Sequence, residues 1–199
     1  GRIMSDTIPM IRKGHLMKKT LIALAVCCSL IIVAVIGIAA AELHAKTELE
    51  SQVTAYLDEC GIEASSIEVH GRPYLIYAAQ DRADLTYVDT APAAGANKDQ
   101  LLIHRLVDGR ADRLTRFITF DYPAEATPIK NADGSFSDSA TVGAAPMTFS
   151  AEAGRTSVRM FADGQEAGGG DLLQPAMVRD VSATDDGVVV EVEYASSSC

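Results

Sequence analysis

The chain has 199 residues, 48% of them hydrophobic and 22% charged, with 7 Pro, 15 Gly, 4 Cys and no Trp. Collagen, a disulfide-dense miniprotein and disorder throughout are excluded by that composition. The formal charge of −10 is unevenly placed: residues 1–19 hold five basic side chains against Asp6, whereas the chain from Glu42 onward holds 12 basic and 26 acidic residues, a net −14. So acidic a body repels phosphate backbones, which argues against a nucleic-acid partner.

In chain order, residues 1–19 form a basic tail carrying Arg2, Arg12, Lys13, Lys18 and Lys19. Residues 20–41 follow, with Thr20 and Ser29 as their only polar side chains. As a helix rising 1.5 Å per residue they extend about 33 Å, against roughly 30 Å of bilayer hydrocarbon. The stretch is therefore expected to be a single-pass transmembrane signal anchor. The Lys and Arg excess before it predicts a cytoplasmic N-terminus and an extracytoplasmic domain over 42–199. Ala39, Ala40 and Ala41 also suit a cleaved signal peptide. The apolar run exceeds the usual signal core of about 7–15 residues, so an uncleaved anchor is expected. Cys27 and Cys28 read as small apolar fillers of the span. Cys60 and Cys199 have the means to form one bridge in an oxidising compartment, but two cysteines do not establish a framework and both are expected to stay free.

Residues 42–60 lack Pro and Gly, and Leu43, Leu49, Val53, Tyr56, Leu57 and Cys60 recur at helical spacing. Glu42, Lys46 and Glu50 stand four apart on the opposite face. An amphipathic helix is predicted, ended by Gly61. Beyond it the period changes from 3.6 to 2. Strands are predicted at 65–70, 84–90, 101–107, 113–120, 140–150, 156–162, 176–183 and 187–194, separated by turns such as Asp108-Gly109, Asp133-Gly134 and Asp163-Gly164. The segments 91–99 and 164–170, the latter with Gly168, Gly169 and Gly170, read as flexible loops. The expected fold is α+β: the transmembrane helix, then an amphipathic helix packed on the concave, apolar face of a curved, mainly antiparallel sheet.

Catalytic signatures do not accumulate. No H-E-x-x-H, G-x-S-x-G, Walker loop or G-x-G-x-x-G occurs. Histidines 15, 44, 70 and 104 are not spaced as ligands on one helix face, so neither a metal nor another cofactor is expected. The acidic pairs Asp58-Glu59 and Asp185-Asp186 read as solvated surface, and no enzymatic role is assigned. Arg105, Arg110, Arg113 and Arg116 concentrate positive charge in the 101–120 hairpin; they suit a phosphate or carboxylate, or cross-strand pairing with the surrounding acids.

The stretch Ile67-Glu68-Val69-His70-Gly71-Arg72-Pro73-Tyr74-Leu75, with Leu85-Thr86-Tyr87-Val88 after it, resembles the signature of the LmeA-like phospholipid-binding family of bacterial envelopes. The order of elements is similar as well. That resemblance implies binding of anionic phospholipid at the outer side of the cytoplasmic membrane, in support of envelope lipid or glycolipid assembly. It departs from the family at Ile76-Tyr77 and Gln80-Asp81-Arg82-Ala83. Gly71 and Pro73 would turn the chain sharply and present Tyr74, Leu75, Ile76 and Tyr77 as an apolar wedge. The candidate lipid contacts are Pro73, Tyr74, Leu75 and Tyr77, with Arg72, Arg105, Arg113 and Arg116 for the headgroup. Burying an acyl methylene is worth about 0.8 kcal/mol, but a lipid leaving the bilayer gives up nearly as much, so holding or exchange is favoured over capture. The alternative is an envelope protein-protein interaction module with a solidly packed sheet and no ligand.

Overall fold

The structure, a computed structural model, describes residues 13–195, with side chains described from Leu21 onward. Residues 1–12 of the basic tail and Cys199 lie outside the described residues. The chain divides into two compact units, 1–44 and 45–199. A single helix, α1 (Lys13–Glu59), contributes to both.

In the first unit every side chain from Leu21 to Ala40 is exposed, and the helix is long and apolar enough to cross a membrane. Ser29, its one described hydroxyl, donates to the Ala25 carbonyl at 2.6 Å. That bond satisfies the hydroxyl inside the helix.

In the second unit the same helix turns amphipathic. Ala45, Leu49, Val53, Tyr56 and Leu57 are buried at the i, i+4, i+8, i+11, i+12 spacing that makes one stripe. Leu43 was expected on that stripe and is instead exposed, because it precedes Leu49 by six residues and so falls on another face. Lys46 and Glu50 pair at 3.4 Å on the wet side. Gly61, at φ +66°, closes the helix: its N–H donates to the Asp58 carbonyl and the Ile62 N–H to that of Leu57. Cys60 at this exit is disulfide-bonded, whereas Cys27 and Cys28 are free. The expectation that Cys60 stays free is thereby corrected.

The remaining chain makes two antiparallel sheets. The first has six strands in the order β1 (Ala64–His70), β2 (Arg82–Thr90), β3 (Ala96–Val107), β4 (Arg110–Phe120), β11 (Gly187–Tyr194), β10 (Ala176–Thr184). The second has five in sequence order: β5 (Thr127–Lys130), β6 (Phe136–Val142), β7 (Ala145–Ala153), β8 (Ser157–Ala162) and β9 (Gln165–Asp171). Asp108-Gly109 and Asp163-Gly164 form the tight turns their chemistry predicts, with both residues of each pair at positive φ. Along the first sheet, Val88, Leu101, Arg116 and Val192 are in register; the next inward row is Asp99, Ile118 and Val190. The helix stripe and the inner faces of both sheets share one hydrophobic core, including Leu49, Leu57, Ile103, Leu114, Phe120, Phe149 and Met160. Burying each such side chain contributes about 1.5–3 kcal/mol. Burial also pushes the Tyr56 phenol up to about 12.

The α+β architecture is as the periodicity predicts, but one curved sheet is replaced by two. The predicted 140–150 strand is split by a hairpin turn at Gly143, which has no Asp or Asn to announce it. Edge strand β5 carries Pro128, a residue confined to such positions. The 91–99 loop shortens to 91–95, because β3 begins at Ala96.

The 164–170 segment is a strand rather than a flexible loop. Its glycines serve close approach: a Cβ on Gly168 would lie 2.8 Å from the Phe120 ring, and one on Gly170 would lie 2.7 Å from Ala93 Cβ. Gly168→Ala should accordingly destabilise the domain by about 1–3 kcal/mol through overpacking. Gly154→Ala, where the nearest atom is 3.7 Å away, should be near neutral. Urea unfolding of the two variants side by side checks this.

Candidate functional site

An apolar-walled opening in the second unit lies where three connections meet. Gly61, Ile62 and Glu63 follow the helix, residues 90–94 lead out of β2, and 171–173 lead out of β9. Leu101, Arg116 and Tyr194 complete a cleft of about 400 Å³. Its walls are held by backbone bonds. Ala96 N–H donates to the Ala93 carbonyl at 2.9 Å, Leu172 N–H to Thr156 at 2.9 Å, and Ala195 N–H to Pro175 at 2.9 Å. Leu172 is thus drawn into the core while Leu173, its neighbour, stands 58% exposed at the rim.

At the back of the cleft Arg116 and Asp99 form a forked ion pair. Nε donates to Oδ1 at 2.8 Å and Nη2 to Oδ2, with the carboxylate fully buried and the guanidinium side chain 12% exposed. Nη1 donates to the Asp171 carbonyl at 2.8 Å and to the Tyr194 hydroxyl at 3.3 Å. Burial alone opposes the charge on Arg116, but the hydrogen bonds and charges of Asp99 and Tyr194 prevail and its pKa is raised. The cleft thus pairs an apolar wall with a polar base whose donors already have acceptors.

The other predicted contacts lie elsewhere. Tyr74, Leu75 and Tyr77 are on the short helix α2 (Tyr74–Ala78), and Arg72 and Pro73 lead into it through a cis peptide, with Pro73 at its N-cap. Tyr74 and Tyr77 pack on the core, whereas Leu75 and Ile76 are 39% and 53% exposed. Gly71, at φ +117°, leaves room for the Tyr77 ring, which a Cβ would meet at 3.2 Å. The arginines 105, 113 and 116 do not converge. Arg105 sits at positive φ and pairs with Asp112, Arg116 faces inward, and Arg113 is on the outer face of the first sheet.

On that outer face Arg113 borders a second hollow of about 340 Å³, with Leu102, His104, Thr115, Phe117, Arg179, Glu191 and Glu193. The Arg113 Nη2 donates to His104 Nδ1 at 3.2 Å. A guanidinium only donates, so Nδ1 accepts and Nε2–H is left to donate to the buried Thr115 hydroxyl, at 3.2 Å. Desolvation and then Arg113 lower the His104 pKa. Glu191 moves upward by burial and by Asp180, while the Arg179 fork holds Glu193 low. Among the described residues, no group of three His, Cys, Asp or Glu is placed to hold a metal ion.

Sequence reading overlooked the cleft's leucines, although Leu172-Leu173 stand out between a glycine run and Pro175. No protein-family profile matches the chain, and no curated protein or solved structure is detectably similar to it. The resemblance to the LmeA-like family therefore rests on the residues quoted for it alone.

Two outcomes test this geometry. Arg116→Met, which strands the buried Asp99 carboxylate, should cost about 3–5 kcal/mol of stability, and adding Asp99→Leu should restore much of it; thermal and urea unfolding of the single and double variants read the difference. For His104 the folded pKa is below its unfolded value, so the unfolded chain takes the proton first and stability falls as pH drops below about 6.5. His104→Gln should flatten that segment of a stability-pH profile and leave the more acidic segment unchanged.

Proposed function

We propose that the chain is a single-pass membrane protein whose extracytoplasmic domain holds part of a lipid hydrocarbon chain in the cleft between Ile62, Leu101, Leu172 and Leu173. The observation that carries this reading is the cleft itself, apolar-walled, open, and about 400 Å³ in volume. That is at the lower end of the roughly 300–1,000 Å³ of small-molecule sites, enough for a segment of one chain rather than both tails of a phospholipid. Glu63 and Asp171 flank it and Arg116 is already engaged, so a headgroup with an ammonium or hydroxyl end fits better than the anionic lipids implied by resemblance.

Two further features support the membrane assignment. The exposed apolar helix is followed by only Glu42, Leu43 and His44 before the first buried residue of the domain, Ala45. The disulfide at Cys60 suits an oxidising compartment, in keeping with export of the domain. A supporting role in envelope lipid assembly is consistent with such a tethered holder.

The interaction-module reading is favoured by a different observation. The interior beneath the helix is filled by Leu49, Val53, Tyr56 and Leu57, each at most 4% exposed. Photocrosslinking decides between them. The full chain is reconstituted with phosphatidylethanolamine bearing a diazirine on one acyl chain, and crosslinked peptides are mapped by mass spectrometry. Adducts at 172–173 or Ile62, reduced several-fold by Leu173→Asp, are expected. Adducts confined to residues 20–41 would overturn the lipid assignment in favour of the interaction module.

A further inference from the structure

We propose that the outer face of the first sheet carries an acid-operated switch, in which Arg113 leaves His104 on one neighbouring strand for the Glu191 and Glu193 carboxylates on the other when His104 takes up a proton. The inference is independent of the cleft and of any membrane contact; its site is the hollow of about 340 Å³ on that face.

Strand order sets up the device. β4 lies between β3 and β11. On the β3 side His104 is the direct cross-strand partner of Arg113. On the β11 side Glu193 stands opposite Thr115 and Glu191 opposite Phe117, the next positions of β4 on the same face as Arg113. All four of these polar side chains line the one hollow, with Arg179 of β10 beside them. From β2 the uncharged Leu85 faces His104, Tyr87 follows it, and the paired His70 and Glu68 of β1 lie beyond.

Only a neutral ring can hold Arg113. A guanidinium has donors and no acceptor, so its 3.2 Å contact uses the Nδ1 lone pair, while Nε2–H is committed to the Thr115 hydroxyl, 3% exposed. A proton arriving at His104 therefore binds at Nδ1. It turns the acceptor into a donor and sets two cations side by side, so the bond to Arg113 is replaced by repulsion. The β11 carboxylates are able to receive the arginine. An ionised carboxylate offers about four lone-pair sites, and the Arg179 fork uses one on each oxygen of Glu193. Glu191, which Asp180 pushes toward its neutral form, feels Arg113 and Arg179 as charges without a hydrogen bond from either.

Burial and Arg113 lower the proton affinity of His104, and Glu193 raises it, so the ring is neutral at pH 7 and the exchange belongs to acid conditions. Around the hollow two arginines then balance two glutamates; the added proton makes this face net positive.

The test is ¹⁵N NMR of the full chain in detergent micelles with labelled histidine, the His104 signals being those lost in His104→Gln. Near pH 8 the ring should be the Nε2–H tautomer, and it should titrate between about pH 8 and about pH 5. Arg113→Met should raise the midpoint by several tenths of a pH unit. Glu191→Gln with Glu193→Gln should lower it, and further with Arg113 present than in the Arg113→Met background, because part of their effect passes through the arginine they receive. An Nδ1–H tautomer near pH 8, a ring that stays neutral wherever the chain is folded, or a glutamate effect no larger with Arg113 than without it overturns the switch.

Discussion

The forked pair between Arg116 and Asp99 is the constraint around which the domain is organised. Its carboxylate is fully buried on β3 and its guanidinium comes from β4, so the charges tie two central strands across their inner face. The same guanidinium reaches the Asp171 carbonyl at the end of β9 and the Tyr194 hydroxyl on β11. One side chain therefore fixes where the second sheet ends relative to the first. Hydrocarbon packing supplies more of the stabilisation, but it is non-directional; the arginine fork has a fixed geometry. The cleft follows from this arrangement, because Arg116 of that fork forms its polar base.

Local chemistry made much of this architecture readable in advance. The amphipathic segment after residue 44 has a period that only a helix satisfies, and Val188, Val190, Val192 and Tyr194 alternate with wetter positions as a half-buried strand requires. The Asp-Gly turns declare their own geometry. What remained hidden depends on distant partners. Gly168 and Gly170 look like linker residues until Phe120 and Ala93 are seen against them. Likewise Asp99 reads as loop in sequence, since a register shift between Ala96 and Lys98 is what directs it inward beside Arg116, seventeen positions later.

The candidate site illustrates the same division. Gly71 and Pro73 do turn the chain, and Tyr74 with Tyr77 divides its surface between core and outside, as the composition of that stretch suggests. The arginines spaced three apart, 113 and 116, were grouped by proximity in sequence, yet a strand sends odd and even offsets to opposite faces. One became a partner for His104 and the other for Asp99. Leu172 and Leu173 acquire meaning only because the Thr156 carbonyl captures the first and leaves the second outside.

Finally, the oxidised thiol at Cys60 sits at the hinge between helical and sheet geometry, one residue before the glycine that ends the helix. Its sulfur chemistry ties maturation of the domain to geography. A polypeptide retained among cytosolic reductants would keep that thiol reduced and lose the covalent clamp on the helix exit, two residues before Ile62 of the cleft wall. On the membrane-protein reading proposed above, export would then be a step in building the cleft.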